Sequence, residues 1–551
     1  MQPTTPNRGC SRASRSARRI AAFAGLTLAL GAFAAPAWAD FQPGDLFVSR
    51  SVYDNNPANV QAGTTVLPPG CVSGCAVANS DGTYPFVFNN DLVDSSFGIT
   101  SKVFLDELTP SGSPVSSFEV PNSSQNGVPP TKDQLVTSFS SKSELALNLS
   151  TSGRYVTFMG YVAPIDGLDV SNSNTPGVID PTNPVPGSDY RVVGQIDQHG
   201  KLRYTETNAY SGNNGRAAIE NDAGGVIYTA GNAGNGANPQ PNGVILGAGA
   251  QIMSPQTKAQ VAQRPGTPTP VGSFSITQLG FAADKVGKDT NFRGLTIHNN
   301  VVYYTKGSGG NGVNTVYFID TTGKACPTTG VGLPQPGAPL PTSPIAYDPA
   351  LLQTQGVTPY DMCILAGFPT ALKSKTAFPF GIWFANANTV YVGDEGNGDN
   401  TYSTKTGTYT KAAAQTTAGL QKWTFDSSSG TWKLAYTLQS GLNLGQPYSI
   451  AGYPSGDNAA TALPWSPGTD GLRNVSGRVN ADGTATIWAI TSTVSGSGDQ
   501  GADPNQLVTI SDDPNATTPA TGESFSTVRA AGFAEVLRGV SFTPGTNPAA
   551  P

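Results

Sequence analysis

One pattern recurs six times along this 551-residue chain, and it constrains the fold more than any other feature. The unit reads arginine, a small or apolar strand, a turn, then an aliphatic or aromatic strand ending in Gly or Thr. Its copies are Arg216-Ala-Ala-Ile with Val226-Ile-Tyr-Thr-Ala-Gly231, Arg293-Gly-Leu-Thr-Ile with Val301-Val-Tyr-Tyr-Thr305, and Arg473-Asn-Val with Thr486-Ile-Trp-Ala-Ile490. A copy beginning with Phe380 continues through Thr389-Val-Tyr-Val-Gly393. Another runs from Leu145 through Tyr155-Val-Thr-Phe-Met-Gly160, and the last, Arg538-Gly-Val-Ser-Phe-Thr, stops after one strand. A fixed repeat whose members cannot bury their apolar faces alone must stack those members into one array.

The starts fall at 145, 216, 293, 380, 473 and 538. These intervals exceed a compact propeller blade of roughly 40–50 residues, but each also holds a second strand pair and long Gly/Pro/Asn-rich loops. The expectation is an all-β propeller of six blades, or seven if 243–281 makes a blade of its own. The final strand lacks a partner of its own, and Leu46-Phe-Val-Ser near the start of the domain supplies one. Pairing the two chain ends closes the ring and hides both sheet edges. Two β-sandwich domains are the competing architecture, which leaves the single repeat unexplained.

Local signals agree. Hairpins are legible at Gln195 to Tyr204, at Lys422 to Tyr436, and at Val103 to Val120, each with period-2 strands around a Gly-, Asp- or Ser-rich turn. Helical periodicity is nearly absent; Lys411 to Leu420 is the best helical candidate.

The first 39 residues read as a signal peptide. Arg8, Arg12, Arg15, Arg18 and Arg19 precede an apolar run from Ile20 to Ala35, too short for a membrane span, and Ala37-Trp38-Ala39 offers a cleavage site. The mature domain is therefore expected to cover 40–551 and to work outside the cytoplasm, secreted or periplasmic, with the general secretory route favoured over the twin-arginine one. Losing five arginines and no acidic residue takes the net charge from −6 to −11. That charge excludes nucleic acid as a partner and argues against anionic membrane, and no later stretch is apolar enough for stable membrane insertion. Cys71, Cys75, Cys326 and Cys363 remain, an even number in an exported chain. Pairing 71–75 and 326–363 is favoured, although spacing leaves the other two pairings open; zinc is the rival use.

The order of Val103-Phe-Leu-Asp-Glu-Leu-Thr-Pro-Ser-Gly112, Arg191-Val-Val-Gly-Gln-Ile-Asp197, Asn213-Asn214-Gly-Arg216, Asn291-Phe-Arg293, Gly419-Leu-Gln-Lys-Trp-Thr-Phe425 with Gly430-Thr-Trp432, and Leu537-Arg-Gly-Val-Ser-Phe-Thr-Pro544 resembles a family of secreted bacterial β-propeller-like proteins without established activity. The resemblance covers most of the mature chain. It implies fold and compartment and brings no catalytic residues with it.

Candidate chemistry falls in three groups. Arg216, Arg293, Arg473 and Arg538 hold one place in the repeat, so a propeller would gather them near its axis. There they would either bind an anion bidentately or tether backbone carbonyls of the next blade. Asp394, Glu395 and Asp399 form an oxygen-rich segment that suits either calcium or a solvated turn. Among the aromatics, Trp383, Trp423, Trp432 and Trp488 fit an inter-blade core, whereas Trp465 in Pro464-Trp-Ser-Pro is the candidate for an exposed ring that stacks on a sugar. Glu220 with Asp394 is the only glycosidase-type pair suggested. His199 and His298 both sit at turns, and no Gly-x-Ser-x-Gly elbow is present. These features predict a non-catalytic propeller binding a glycan or another envelope component. The alternative is a secreted propeller enzyme (a lactonase, glycan lyase or glycoside hydrolase) with a calcium in the channel.

Overall fold

A computed structural model describes residues 40–139, 144–180, 183–232, 249–256, 258, 291–307, 313–326, 329–342, 362–371 and 377–548. Residues 1–39, read above as a signal peptide, and most of the 243–281 segment lie outside the described residues. Six antiparallel sheets follow one another along the chain and form the ring of a six-bladed β-propeller.

Each blade is built outward from one innermost strand. These strands are Glu535–Phe542 in blade 1, Asn148–Leu149 in blade 2, Gly215–Asn221 in blade 3, Phe292–His298 in blade 4, Pro379–Asn386 in blade 5 and Gly468–Val479 in blade 6. Every one packs against the innermost strands of its two neighbours, so the six close a ring. All six repeat starts fall on or immediately beside these strands. The second strand of each repeat pairs with the first, as Thr389–Asp394 does in blade 5 and Ala485–Val494 in blade 6.

Closure joins the two ends of the domain. Leu46–Val52 runs antiparallel to Glu535–Phe542, with Leu46 opposite Phe542 and Val48 opposite Val540. Its other edge pairs with Ile99–Leu108, so Leu46–Val52 is hydrogen-bonded on both sides, and Glu535–Phe542 keeps only its channel-facing edge. The hairpins form where turn chemistry placed them. Asp197 Oδ1 accepts from the amides of His199 (3.0 Å) and Lys201 (2.9 Å), fixing the turn between Arg191–Asp197 and Leu202–Thr207.

The core lies between blades. Tyr228, Tyr304, Phe318, Ile364 and Trp432 are buried together across blades 3, 4 and 5. Trp488 is 1% exposed and donates from Nε1 to Pro110 O (3.2 Å), tying blade 6 to blade 1. Residues 53–98, inserted between the first two chain-order strands of blade 1, pack Tyr84, Phe88 and Phe97 against Phe139, Ala502 and Ala534. Both favoured disulfides are present, Cys71–Cys75 and Cys326–Cys363, with Cα atoms 5.7 and 6.0 Å apart. They belong to an oxidising, extracellular or periplasmic compartment. No helix among the described residues is long and apolar enough to cross a membrane. The helical expectation is corrected: Thr410–Ala413 forms one turn, and Gly419 and Leu420 already belong to a strand, where Leu420 is fully buried between blades.

Candidate functional site

The innermost strands share a local defect that organises the channel. In blades 1, 3, 4, 5 and 6, one extra residue interrupts the ladder to the second strand. The bulges fall at Arg538, Arg216, Arg293-Gly294, Phe380-Gly381 and Arg473-Asn474. A bulge re-aims the side chain at the inserted position and tightens the local twist. The repeated arginine is therefore the bulge residue of its blade, with Phe380 in the same role in blade 5. Glycine after the bulge lets the next blade approach. A Cβ on Gly294 would lie 2.3 Å from Phe380 O, one on Gly381 2.5 Å from Arg473 O, and one on Gly539 2.4 Å from Leu145 O.

The four arginines meet near the axis together with two carboxylates. Glu395 sits between Arg293 and Arg473, accepting from Arg473 Nε at 3.2 Å and pairing with Arg293 Nη2 at 3.5 Å. Phe380 lies between the same two guanidiniums, each 5.9 Å from its ring centroid. Glu144, just before the blade 2 strand, is 1% exposed and accepts from the Tyr161 hydroxyl. Arg216 donates from Nη1 to Asn291 Oδ1 and to Phe292 O (3.2 Å). Arg538 donates from Nε to Ser51 Oγ (3.2 Å). Burial, then the neighbouring Arg293, pulls the Arg216 guanidinium well below its ordinary range, and burial brings Arg538 down to about 10.

The proposed metal ligands do not converge. Asp394 is buried and turned to the amides of Phe378 (2.8 Å) and Gly396 (3.0 Å) and to Gln421 Nε2 (3.1 Å). Burial raises it to about 7. Glu395 is committed to the arginines, and Asp399 caps its own turn through Thr401 N (3.0 Å). Among the described residues the one group of potential ligand atoms close enough to hold a metal is Asp320, Cys326 and Cys363, and there the two sulfurs are joined to each other. These residues do not fit a calcium site or a zinc site. Trp465 also requires correction: it is 3% exposed, its ring edge-to-face with Phe86 at 5.0 Å and near Tyr453 at 6.3 Å.

Further along the same innermost strands the channel opens into a funnel of about 1150 Å³. Ile219, Ile297, Ile382, Phe384, Val475 and Phe542 give it apolar walls, and Asn148, Asn299 and Asn386 are among its amides. Among the described residues no Asp or Glu lines it, and Arg478 is its one permanently charged side chain. His298 ends its strand rather than forming the turn, which Asn299 and Asn300 make with φ of 48° and 58°. Its ring stacks on Phe384 with centroids 4.4 Å apart and planes 3° apart, and burial lowers its pKa to about 4, so it is neutral at physiological pH.

Sequence reasoning missed Glu144, Tyr161 and the funnel. Glu144 immediately precedes a repeat start, which was the available signal. Nothing in the sequence marks the funnel, because six distant strand ends make it.

No family model and no curated protein matches this chain. Among solved structures, a protein from Lactobacillus plantarum aligns at TM-score 0.32 and 9% identity, covering 81% of this chain and 98% of that one. A polysaccharide lyase described as an ulvan lyase aligns at TM-score 0.27 and 10% identity, covering 80% and 92%. A Synechocystis apocarotenoid oxygenase mutant aligns at TM-score 0.20 and 11% identity, covering 81% and 59%. At these scores the likenesses carry no argument about a ligand, and function rests on the channel's own residues.

Proposed function

We propose that this protein is exported by its N-terminal signal, cleaved after Ala39, and binds an uncharged extracellular glycan in the funnel without transforming it. The observation that carries this reading is the funnel's lining, which among the described residues holds no carboxylate. Apolar walls suit the C–H faces of pyranose rings, while amides at Asn148 and Asn386 suit hydroxyls. Glycoside hydrolysis generally uses two carboxyl groups flanking the bond, and the described residues of this surface present none. Among the described lining residues an acidic saccharide would find only Arg478 to pair with.

A glycan array probed with the purified 40–551 chain tests this. Neutral oligosaccharides are expected to bind and uronic-acid or sulfated ones to bind less. Ser476→Trp, which fills the funnel from blade 6, should weaken neutral-glycan binding at least tenfold while leaving the far-UV spectrum unchanged. Equal binding by the variant, or preference for acidic glycans, would overturn the reading.

A further inference from the structure

Blades 5 and 6 also meet through a cluster of ionisable side chains on their third strands, which neither the funnel nor the bulge ring uses. Lys422 lies on Gly419–Asp426 of blade 5, and Asp512 ends Gln506–Asp512 of blade 6. Lys422 Nζ is 3.0 Å from Asp512 Oδ2, and the two side chains are 0% and 1% exposed. No other ion pair among the described residues is so dry. The arginines of Arg50–Asp106 and Arg473–Glu395, for comparison, keep 12% and 16% exposure.

Both reacting groups are fixed by further hydrogen bonds. Nζ donates to Asp513 O (2.5 Å), Ala516 O (2.9 Å) and Tyr436 OH (2.8 Å). The Asp512 carboxyl accepts from Tyr436 OH at Oδ1 (2.6 Å) and from Tyr391 OH at Oδ2. Burial, reinforced by Asp512, pushes both phenols up, so they stay protonated and polarise the carboxyl carbon between them. Glu523 completes the group. Its Oε2 accepts from the Ala520 amide (2.9 Å), its Oε1 is buried without a donor, and its charged neighbours are Asp512 and Lys422. Burial raises it to about 7, so it can take up or release a proton near neutral pH. One buried ammonium thus faces two carboxyls, and taking such charges out of water is expensive.

We propose that Lys422 and Asp512 condense into an isopeptide bond, an autocatalytic cross-link between blades 5 and 6, with Glu523 as the proton carrier. A proton leaves the ammonium through Glu523, and the free amine attacks Asp512 Cγ. The N–Cγ bond forms as one Cγ–O bond breaks. The departing oxygen leaves as water with two of the ammonium's three protons, and Glu523 ends as it began. Atoms and charge balance without an oxidant or cofactor: an ammonium and a carboxylate become a neutral amide and one water. Burial favours the step twice. A desolvated lysine amine is nucleophilic, and losing both charges relieves their desolvation.

The test is the electrospray mass of the 40–551 chain, denatured and with its disulfides reduced. The expected mass lies below the sequence value by one water. Tandem spectra of a protease digest should show the peptide carrying Lys422 joined to the one carrying Asp512. Lys422→Met and Asp512→Ala should each restore the full sequence mass. Glu523→Gln, which keeps the side chain's size, should leave most chains unlinked with the far-UV spectrum unchanged. Lys422→Met weakens the blade contact whether or not the bond exists, so mass decides the matter and melting temperature does not. A wild-type chain at its full sequence mass overturns the proposal, and so does a water loss that the digest places elsewhere. Complete linkage in Glu523→Gln overturns the proton transfer assigned to Glu523.

Discussion

Gly381→Ala tests the contact on which the bulge ring depends. The new Cβ would lie 2.5 Å from Arg473 O, 2.6 Å from Val475 N and 2.9 Å from Val475 Cγ2. Ordinary contact begins at 3.4 Å, so the carbonyl approach is short by about 0.9 Å. Two of the three atoms are backbone, and no rotamer change moves them. Relief requires blades 5 and 6 to separate along their innermost strands. Overpacking of this kind costs about 1–3 kcal/mol. Alanine in a strand recovers about 0.5–1 kcal/mol of that through lower chain entropy, which leaves a net loss of roughly 0.5–2 kcal/mol. The assay is urea unfolding followed by tryptophan fluorescence. Gly187→Ala is the control, since its Cβ would meet only Ser173 Cβ at 3.6 Å and Asp189 Oδ2 at 3.7 Å. A Gly381→Ala midpoint equal to wild type would show that the blades do not meet as described, and with it would fall the close placement of Arg473 and Arg293.

Two further perturbations address buried charge. Lys422 Nζ lies 3.0 Å from Asp512, with both side chains at most 1% exposed, and also donates to Tyr436 OH (2.8 Å) and Ala516 O (2.9 Å); Lys422→Met should cost about 3–5 kcal/mol in urea unfolding, and adding Asp512→Asn should recover part of it. Burial raises Asp394 and Asp470 to about 7 and Asp503 to about 8. The folded state therefore holds protons that the unfolded chain releases near pH 4, so this stability is full below that pH and is lost as pH rises through 7 to 8. Melting temperature should fall from pH 5 to pH 8.5, and Asp503→Asn, still able to accept from Tyr453, should flatten the slope; an unchanged slope would refute the assignment.

The ring architecture was legible because its signals are local or follow from parity. A two-strand unit announces itself within about 20 residues at Arg293 to Thr305, and an odd strand at 538–543 demands a partner. Asp197 and Asp426 each fix a hairpin through bonds to amides a few residues away. The misplaced residues depend instead on contacts far apart in sequence. Trp465 sits in a polar, Pro-flanked loop that reads as exposed, yet Phe86 of the blade 1 insertion covers it. Asp394, Glu395 and Asp399 are close in sequence, but extended backbone and the turn at Gly396, with φ of 82°, send their carboxylates to different partners.

Blade 5 shows what the bulge itself requires. Phe380 occupies the ring position without a guanidinium, and its blade still forms the same one-residue insertion and the same close glycine contact as blade 4. The bulge therefore needs no arginine, and a nonpolar ring would close the propeller without placing like charges side by side. Four arginines at this position are an electrostatic cost that folding does not impose. Glu395 offsets it where Phe380 makes room, and Glu144 offsets it in blade 2. Arg216 is held differently: its Nη1 donates to Asn291 Oδ1 and to Phe292 O (3.2 Å), so there the ring arginine ties blade 3 to blade 4.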